Sequence, residues 1–240
     1  MDGPSAGSIA CVTDCLIIAV DGPSGSGKST AARGVAANLR LRYLDTGAMY
    51  RALTWWMMQQ AVPVDDAEAV AAQAGRAALE VGTDPSQPWV TVDGTDVTGL
   101  IRTRQVSNAV SAVASVPAVR ARLVAMQQAI IARTCASGSG IVAEGRDIGT
   151  VVAPDAPVKV FLIASETARA ERRSADLAAD PGATPAVTQA EQQRRDTADA
   201  PQTGKAADAV QIDSTRLDLP EVISMIMDLA RQQAGAAWSA

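Results

Sequence analysis

The segment Gly22-Pro23-Ser24-Gly25-Ser26-Gly27-Lys28-Ser29 fulfils G-x-x-x-x-G-K-[ST], and no other feature of the chain limits its fold as tightly. It follows Leu16-Ile17-Ile18-Ala19-Val20, a continuous apolar run of the kind buried on both faces of a parallel sheet. It precedes Ser29 to Leu39, where Ala and Val recur at helical spacing with no internal proline. Strand, glycine loop and helix form the first βα unit of an α/β fold. Glycines let consecutive N–H groups converge on phosphate oxygens, the helix N-terminus adds partial positive charge, and Lys28 reaches the outer phosphates. The segment, extended to Thr30, is therefore the expected ATP-binding loop, with the Ser29 hydroxyl as a ligand for Mg2+.

Four further strand candidates follow: Arg42-Tyr43-Leu44, Gly140 to Ala143, Val158 to Ile163 and Ala209 to Ile212. Helical segments separate them, which predicts a five-stranded parallel sheet flanked by helices. Ligands of such sheets bind beyond the carboxyl ends of the strands, where Asp21, Asp45, Glu144, Ser165 and Asp213 stand here. Glu144 is at the position where P-loop proteins put a carboxylate that organises Mg2+. Two stretches break the βα rhythm. Between Val81 and Thr103, Asp93-Gly94 separates alternating residues and predicts a small antiparallel hairpin. From Ser174 to Lys205 the chain is polar and reads as a partly helical flap.

Composition removes several chemistries. None of the 240 residues is histidine, so imidazole acid/base catalysis, Ser-His-Asp triads and His-based zinc sites are excluded. A net charge of −5 argues against a dedicated binder of nucleic-acid polymers, though a local cationic pocket is compatible with it. No N-K-x-D element is present to read a guanine base, which disfavours a switch GTPase. The three cysteines, Cys11, Cys15 and Cys135, make an odd, sparse set; reduced thiols in a cytoplasmic protein are expected, in a fold that does not depend on disulfides. The apolar run before the loop is far shorter than the roughly 20 residues of a membrane span, so no membrane association is expected. Residues 1–14 are small and polar and are expected to form a flexible tail.

Asp45-Thr46-Gly47-Ala48-Met49-Tyr50-Arg51, Glu144-Gly145-Arg146-Asp147-Ile148-Gly149-Thr150-Val151-Val152 and Pro154 to Lys159 closely resemble the bacterial cytidylate kinases, P-loop enzymes that phosphorylate CMP and dCMP with ATP. The resemblance runs from about Leu16 to Asp213. It implies a monomeric P-loop kinase fold: one domain over 15–240, with a core of 15–80, 121–165 and 206–240, a nucleoside monophosphate (NMP)-binding insert at about 81–120, and a lid at about 166–205. It implies that Arg51, Arg102 and Arg146 hold the acceptor phosphate and that Ser111, Arg120 and Asp147 line the cytosine. Thr46 would touch phosphate or sugar, or cap the helix that follows it. Arginine suits the first role, since its fork binds phosphate through two parallel N–H groups.

In the flap, Arg194-Arg195-Asp196-Thr197-Ala198-Asp199 resembles the family's R-D-x-x-D segment, which implies that Arg195 and Asp199 contact the transferring phosphates and the acceptor sugar. Arg169 and Arg173 are candidates for ATP; a solvated, salt-bridged helix face is the alternative for Arg169 and Arg172. The chain departs from the family just beyond, with Gln202 where an arginine is common and Lys205 nearby. Two other functions stay open at this point: a P-loop kinase of another acceptor, such as UMP, dTMP or a small metabolite, and a nucleotide-binding regulator that hydrolyses ATP slowly.

Overall fold

All five apolar runs become strands: β1 (Ile17–Asp21), β2 (Arg42–Asp45), β6 (Ile141–Gly145), β7 (Val158–Ile163) and β8 (Val210–Asp213). They form one parallel sheet in the order β2-β6-β1-β7-β8. The structure, a computed structural model, describes residues 15–176 and 184–234, so the expected tail at 1–14 lies outside the described residues. Because side chains alternate across a strand, β1 feeds two cores. Ile18 and Val20 pack with Ala31, Val35, Val222 and Ile226 of α1 (Lys28–Asn38) and α8 (Leu219–Ala234). Ala19 faces the other layer, where α2 (Thr46–Gln59) and α5 (Pro117–Ala136) contribute Met49, Leu53 and Leu123.

The hairpin expected at Asp93-Gly94 forms between β4 (Val90–Val92) and β5 (Thr95–Asp96), and β3 (Leu79–Val81) adds a third antiparallel strand. Asp93 and Gly94 both have positive φ, 50° and 77°, the backbone that a tight hairpin turn requires. The Asp93 carboxylate also ties the turn to the body, accepting from Trp56 Nε1 at 2.6 Å and from Ala78 N at 2.7 Å. Helix α3 (Ala67–Gln73) precedes this sheet and α4 (Arg104–Ser115) follows it. The chain bends by 97° between α4 and α5, where Pro117 opens the new helix. The polar flap carries the helices α6 (Glu166–Asp176) and α7 (Pro185–Asp199) among its described residues.

One expectation fails. Cys15 and Cys135 are joined in a disulfide and are not free thiols, while Cys11 lies outside the described residues. The reason is topological: α5 leads into β6, the neighbour of β1, so residues 120 apart in sequence meet with Cα atoms 5.3 Å apart. The bond sits before the amino end of β1, opposite the end that carries the glycine loop. Among the described residues, no single helix is long and apolar enough to cross a membrane.

Candidate active site

The glycine loop is shaped by what touches it. A Cβ on Gly22 would lie 2.1 Å from the Leu162 carbonyl oxygen, so no side chain fits where the loop leaves β1. Gly27 has φ 89° and opens α1, which has no side-chain cap and no acidic residue in its first turn. By contrast Asp45, Asp66, Thr103 and Thr184 cap α2, α3, α4 and α7. The first amides of α1 are thus left for an external anion, and the helix dipole favours one. Lys28 is buried, and its ammonium donates to the Pro23 carbonyl at 3.2 Å.

Beside the loop, Ser29 Oγ donates to Glu144 Oε1 at 2.6 Å and Tyr43 donates to the same oxygen at 3.2 Å. Asp45 stands in register with Glu144 across the β2–β6 pair. Burial, with Asp45 beside it, holds the Glu144 carboxyl above the usual carboxylate range, against the pull of Lys28. Thr46 is the first residue of α2 and not its cap: Asp45 accepts from Ala48 N at 2.8 Å, and the Thr46 hydroxyl donates to the Glu144 carbonyl at 2.7 Å.

A cavity of about 1010 Å³ opens over these strand ends. Ser24, Gly25, Gly27, Lys28, Ser29 and Thr30 form one wall. Arg51, Arg102, Arg146 and Arg195 reach it from α2, the turn before α4, the end of β6 and α7. Arg146 donates to the Gly22 carbonyl at 2.8 Å and pairs with Asp199 at 3.3 Å; Arg102 pairs with Asp45 at 3.2 Å. Arg195 contacts the Ser24 hydroxyl at 3.3 Å, and its buried Nε has no hydrogen-bond partner among the described residues. Burial, then the repulsion of Arg146, pushes the Lys28 ammonium down to about 7. Burial, then Arg51 and Arg146, brings Arg195 down to about 9, and burial lowers Arg51 as well. Cations crowded enough to lose their protons more easily make a site for anions.

The same cavity holds a second group. Arg120 forms an ion pair with Asp147, and Ser111, buried on α4, has a hydroxyl with no hydrogen-bond partner among the described residues. Of the remaining sequence candidates, Asp199, Thr46, Glu144 and Arg173 also line the cavity. Gly22, Pro23, Ser26 and Arg169 are off its wall: Arg169 is buried behind the loop, donating to the Ser24 carbonyl at 3.1 Å and pairing with Asp196 at 2.5 Å. Arg172, which the sequence marks only as part of a basic helix face and not as a site residue, lines the cavity and braces the loop from the far side through Ser214, at 2.6 Å to its carbonyl. Its spacing of three from Arg169 was the available signal. Gln202 lines the cavity at the point of departure from the family, whereas Lys205 does not.

A parallel sheet with an uncapped phosphate loop after its first strand, and arginines converging on it from four other segments, defines a P-loop kinase. The family description for cytidylate kinase matches residues 18–232. The cytidylate kinase of Streptomyces coelicolor is 50% identical over 222 residues, 91% of this chain and 94% of that protein. That of Streptomyces avermitilis is 47% identical, covering 92% and 95%, and that of Geobacillus sp. is 43% identical, covering 91% and 97%. The chain belongs to the cytidylate kinase family, whose members are phosphotransferases.

Proposed function

We propose that the protein transfers the γ-phosphoryl group of ATP to CMP and dCMP. The observation that carries this reading is that the phosphate loop, the cation cluster and the Ser111–Arg120–Asp147 group share one cavity large enough for two ligands. In this reading ATP phosphates lie on the amides of the loop and α1, and Lys28 and Arg195 neutralise the transferring group. Arg51, Arg102 and Arg146 hold the acceptor phosphate, Asp199 and Thr46 approach its sugar and phosphate, and Arg173 approaches ATP. Arg169 acts on ATP only through the loop it braces.

The acceptor needs no strong general base, because a phosphate monoester oxygen is already ionised near neutral pH. That oxygen bonds to the γ-phosphorus as the β–γ bridge breaks in line, ADP leaves with the bridging electrons, and charge on the transferring oxygens is met by fixed cations. The absence of histidine fits such a reaction.

Hard oxygen donors, the Ser29 hydroxyl and the Glu144 carboxylate, meet at 2.6 Å beside the loop and suit Mg2+, which keeps several waters and completes its shell with substrate phosphates. Bound there, the ion would offset negative charge on the ATP phosphates. Asp147 can accept from the exocyclic amine of cytosine, while Arg120 and Ser111 serve its ring acceptors; uracil would turn a carbonyl toward the carboxylate.

Residues 81–120 then form the acceptor-binding insert and 166–205 the lid, which excludes water on closing. We place the reaction in the cytoplasm, carried out by a monomer. An ADP-release assay with ATP and CMP, dCMP, UMP, AMP or dTMP tests the reading. Turnover with CMP and dCMP well above the others is expected. Turnover favouring another acceptor, or ATP hydrolysis indifferent to all five, would overturn it.

A further inference from the structure

Asp21 is the last residue of β1 and has no part in the roles assigned above, yet its carboxylate is almost fully buried beside the phosphate loop. Its two oxygens accept from consecutive amides, Ile148 N at 2.9 Å and Gly149 N at 2.8 Å. These amides open the single π-helical turn Ile148–Val152, directly after Arg146-Asp147. Asp147 occupies the capping position of that turn, where a short carboxylate ordinarily accepts from the first free amides. Its side chain makes no such bond; it is turned to Arg120. Asp21 supplies the missing cap from another strand. The next residue, Gly22, accepts from Arg146 at 2.8 Å, so the strand that delivers the phosphate loop grips the Arg146-Asp147 segment at two adjacent points.

We propose that Asp21 is a positioning residue for the acceptor nucleotide, capping the 148–149 amides in place of Asp147 and so keeping the Asp147 carboxylate free to read the base. The inference rests on the acceptor reading given above. The choice of side chain follows from donor counting: two amide donors need two acceptor oxygens, and an asparagine would turn its NH2 toward one of them. Burial pushes the Asp21 carboxyl up to about 6 although both amides favour the charged form, with Asp147 and Lys28 the charged groups facing it. A charge kept buried against that tendency points to a functional requirement.

The test is Asp21→Asn in the full chain, assayed beside wild type with ATP and either CMP or UMP. The ratio of kcat/KM for CMP to that for UMP is expected to fall by about 10-fold, the scale of leaving one buried partner unsatisfied. KM for CMP should rise while KM for ATP stays unchanged. In an Asp147→Asn background the same substitution should change the ratio no further. A variant that loses thermal stability but keeps the wild-type ratio would mean that Asp21 only holds the fold. Wild type inactive with CMP would instead overturn the acceptor reading itself. If the variant does not fold, amide hydrogen exchange in ligand-free wild type decides: protected Ile148 and Gly149 amides support a preset cap, and rapid exchange overturns it.

Discussion

Lys28, Arg51 and Arg195 stand in the cavity as cations that repel one another, whereas Arg120 and Asp147, in the same cavity, neutralise each other. The first cluster is destabilised until an anion arrives, so ligand and transition state supply what the protein withholds. The second is already satisfied; on the proposed reading it changes partners when a base enters, and its contribution is then a choice between bases and not a large gain in affinity. The proposed function thereby assigns rate and selectivity to different side chains, although Arg146 and Asp147 are adjacent in sequence. The division can be broken by experiment. Arg146→Ala should lower kcat by roughly 10²-fold or more, the scale of losing one preorganised donor to transition-state charge. If steady-state kinetics showed only a raised KM for CMP, the cation cluster would be a ground-state clamp and the contrast would fail.

Asp147→Asn should act on the other side of the division. The preference for CMP over UMP is expected to shrink by about 10-fold, since one misplaced hydrogen bond is worth on the order of 1–3 kcal/mol. Its kcat with CMP should fall far less than that of Arg146→Ala. Equal losses in the two variants would show that base and phosphate are read by one unit.

Crowding at the phosphate end also has a signature in protons. The ordinary Lys28 value of 10.5 falls to about 7 in the folded protein, so at pH 8 the ligand-free side chain is mostly neutral. A bound phosphate favours the ammonium and should draw in close to one proton at pH 8 but almost none at pH 6, measurable by calorimetric titration of ATP in buffers of different ionisation enthalpy. Between about 7 and 10.5 the unfolded chain holds the extra proton, so this group makes the ligand-free fold more stable as pH rises through that window. No proton uptake at pH 8 would show that the cluster is not primed in this way.

Much of this is legible in the sequence alone. The five strands, the Asp93-Gly94 turn and the loop come from local rules, period and turn chemistry, and those rules operate here without competition. What was not legible depends on contacts between distant segments. Capping α2 is one of the two roles the sequence leaves open for Thr46, but the neighbouring Asp45 is the better-placed acceptor and takes that role. Arg169 read as a nucleotide contact, yet the packing of α6 on α7 turns it toward Ser24 and Asp196 behind the loop. The Cys15–Cys135 bond arises from strand order, which cysteine spacing does not encode. Asp21 was visible as a polar residue ending a strand, but its partners lie 127 and 128 residues away.

The smallest expected effect concerns how the flap meets the segment that follows the hairpin. Glu191 on α7 accepts from Arg104 Nε at 2.7 Å and from Asn108 Nδ2 at 3.1 Å, both on α4, and Arg173 of α6 donates to Ser107 at 3.0 Å. One face of α4 thus bears contacts to the flap, and of these groups Glu191, Arg104 and Asn108 belong to neither cluster described above, whereas Arg173 lies beside the cations. The Arg104–Glu191 pair is partly buried, but a single pair of this kind contributes on the order of 1 kcal/mol, which holds Glu191→Gln to a change in kcat of about fivefold or less. The glutamine keeps an acceptor for Asn108 but loses the charge that holds Arg104. Closure should become less complete without altering the choice between CMP and UMP, and ATP hydrolysis in the presence of CMP should rise as water enters. A change in base preference would tie α4, which also carries Ser111, to the reading of the base, and the separation of rate from selectivity would then end at this helix.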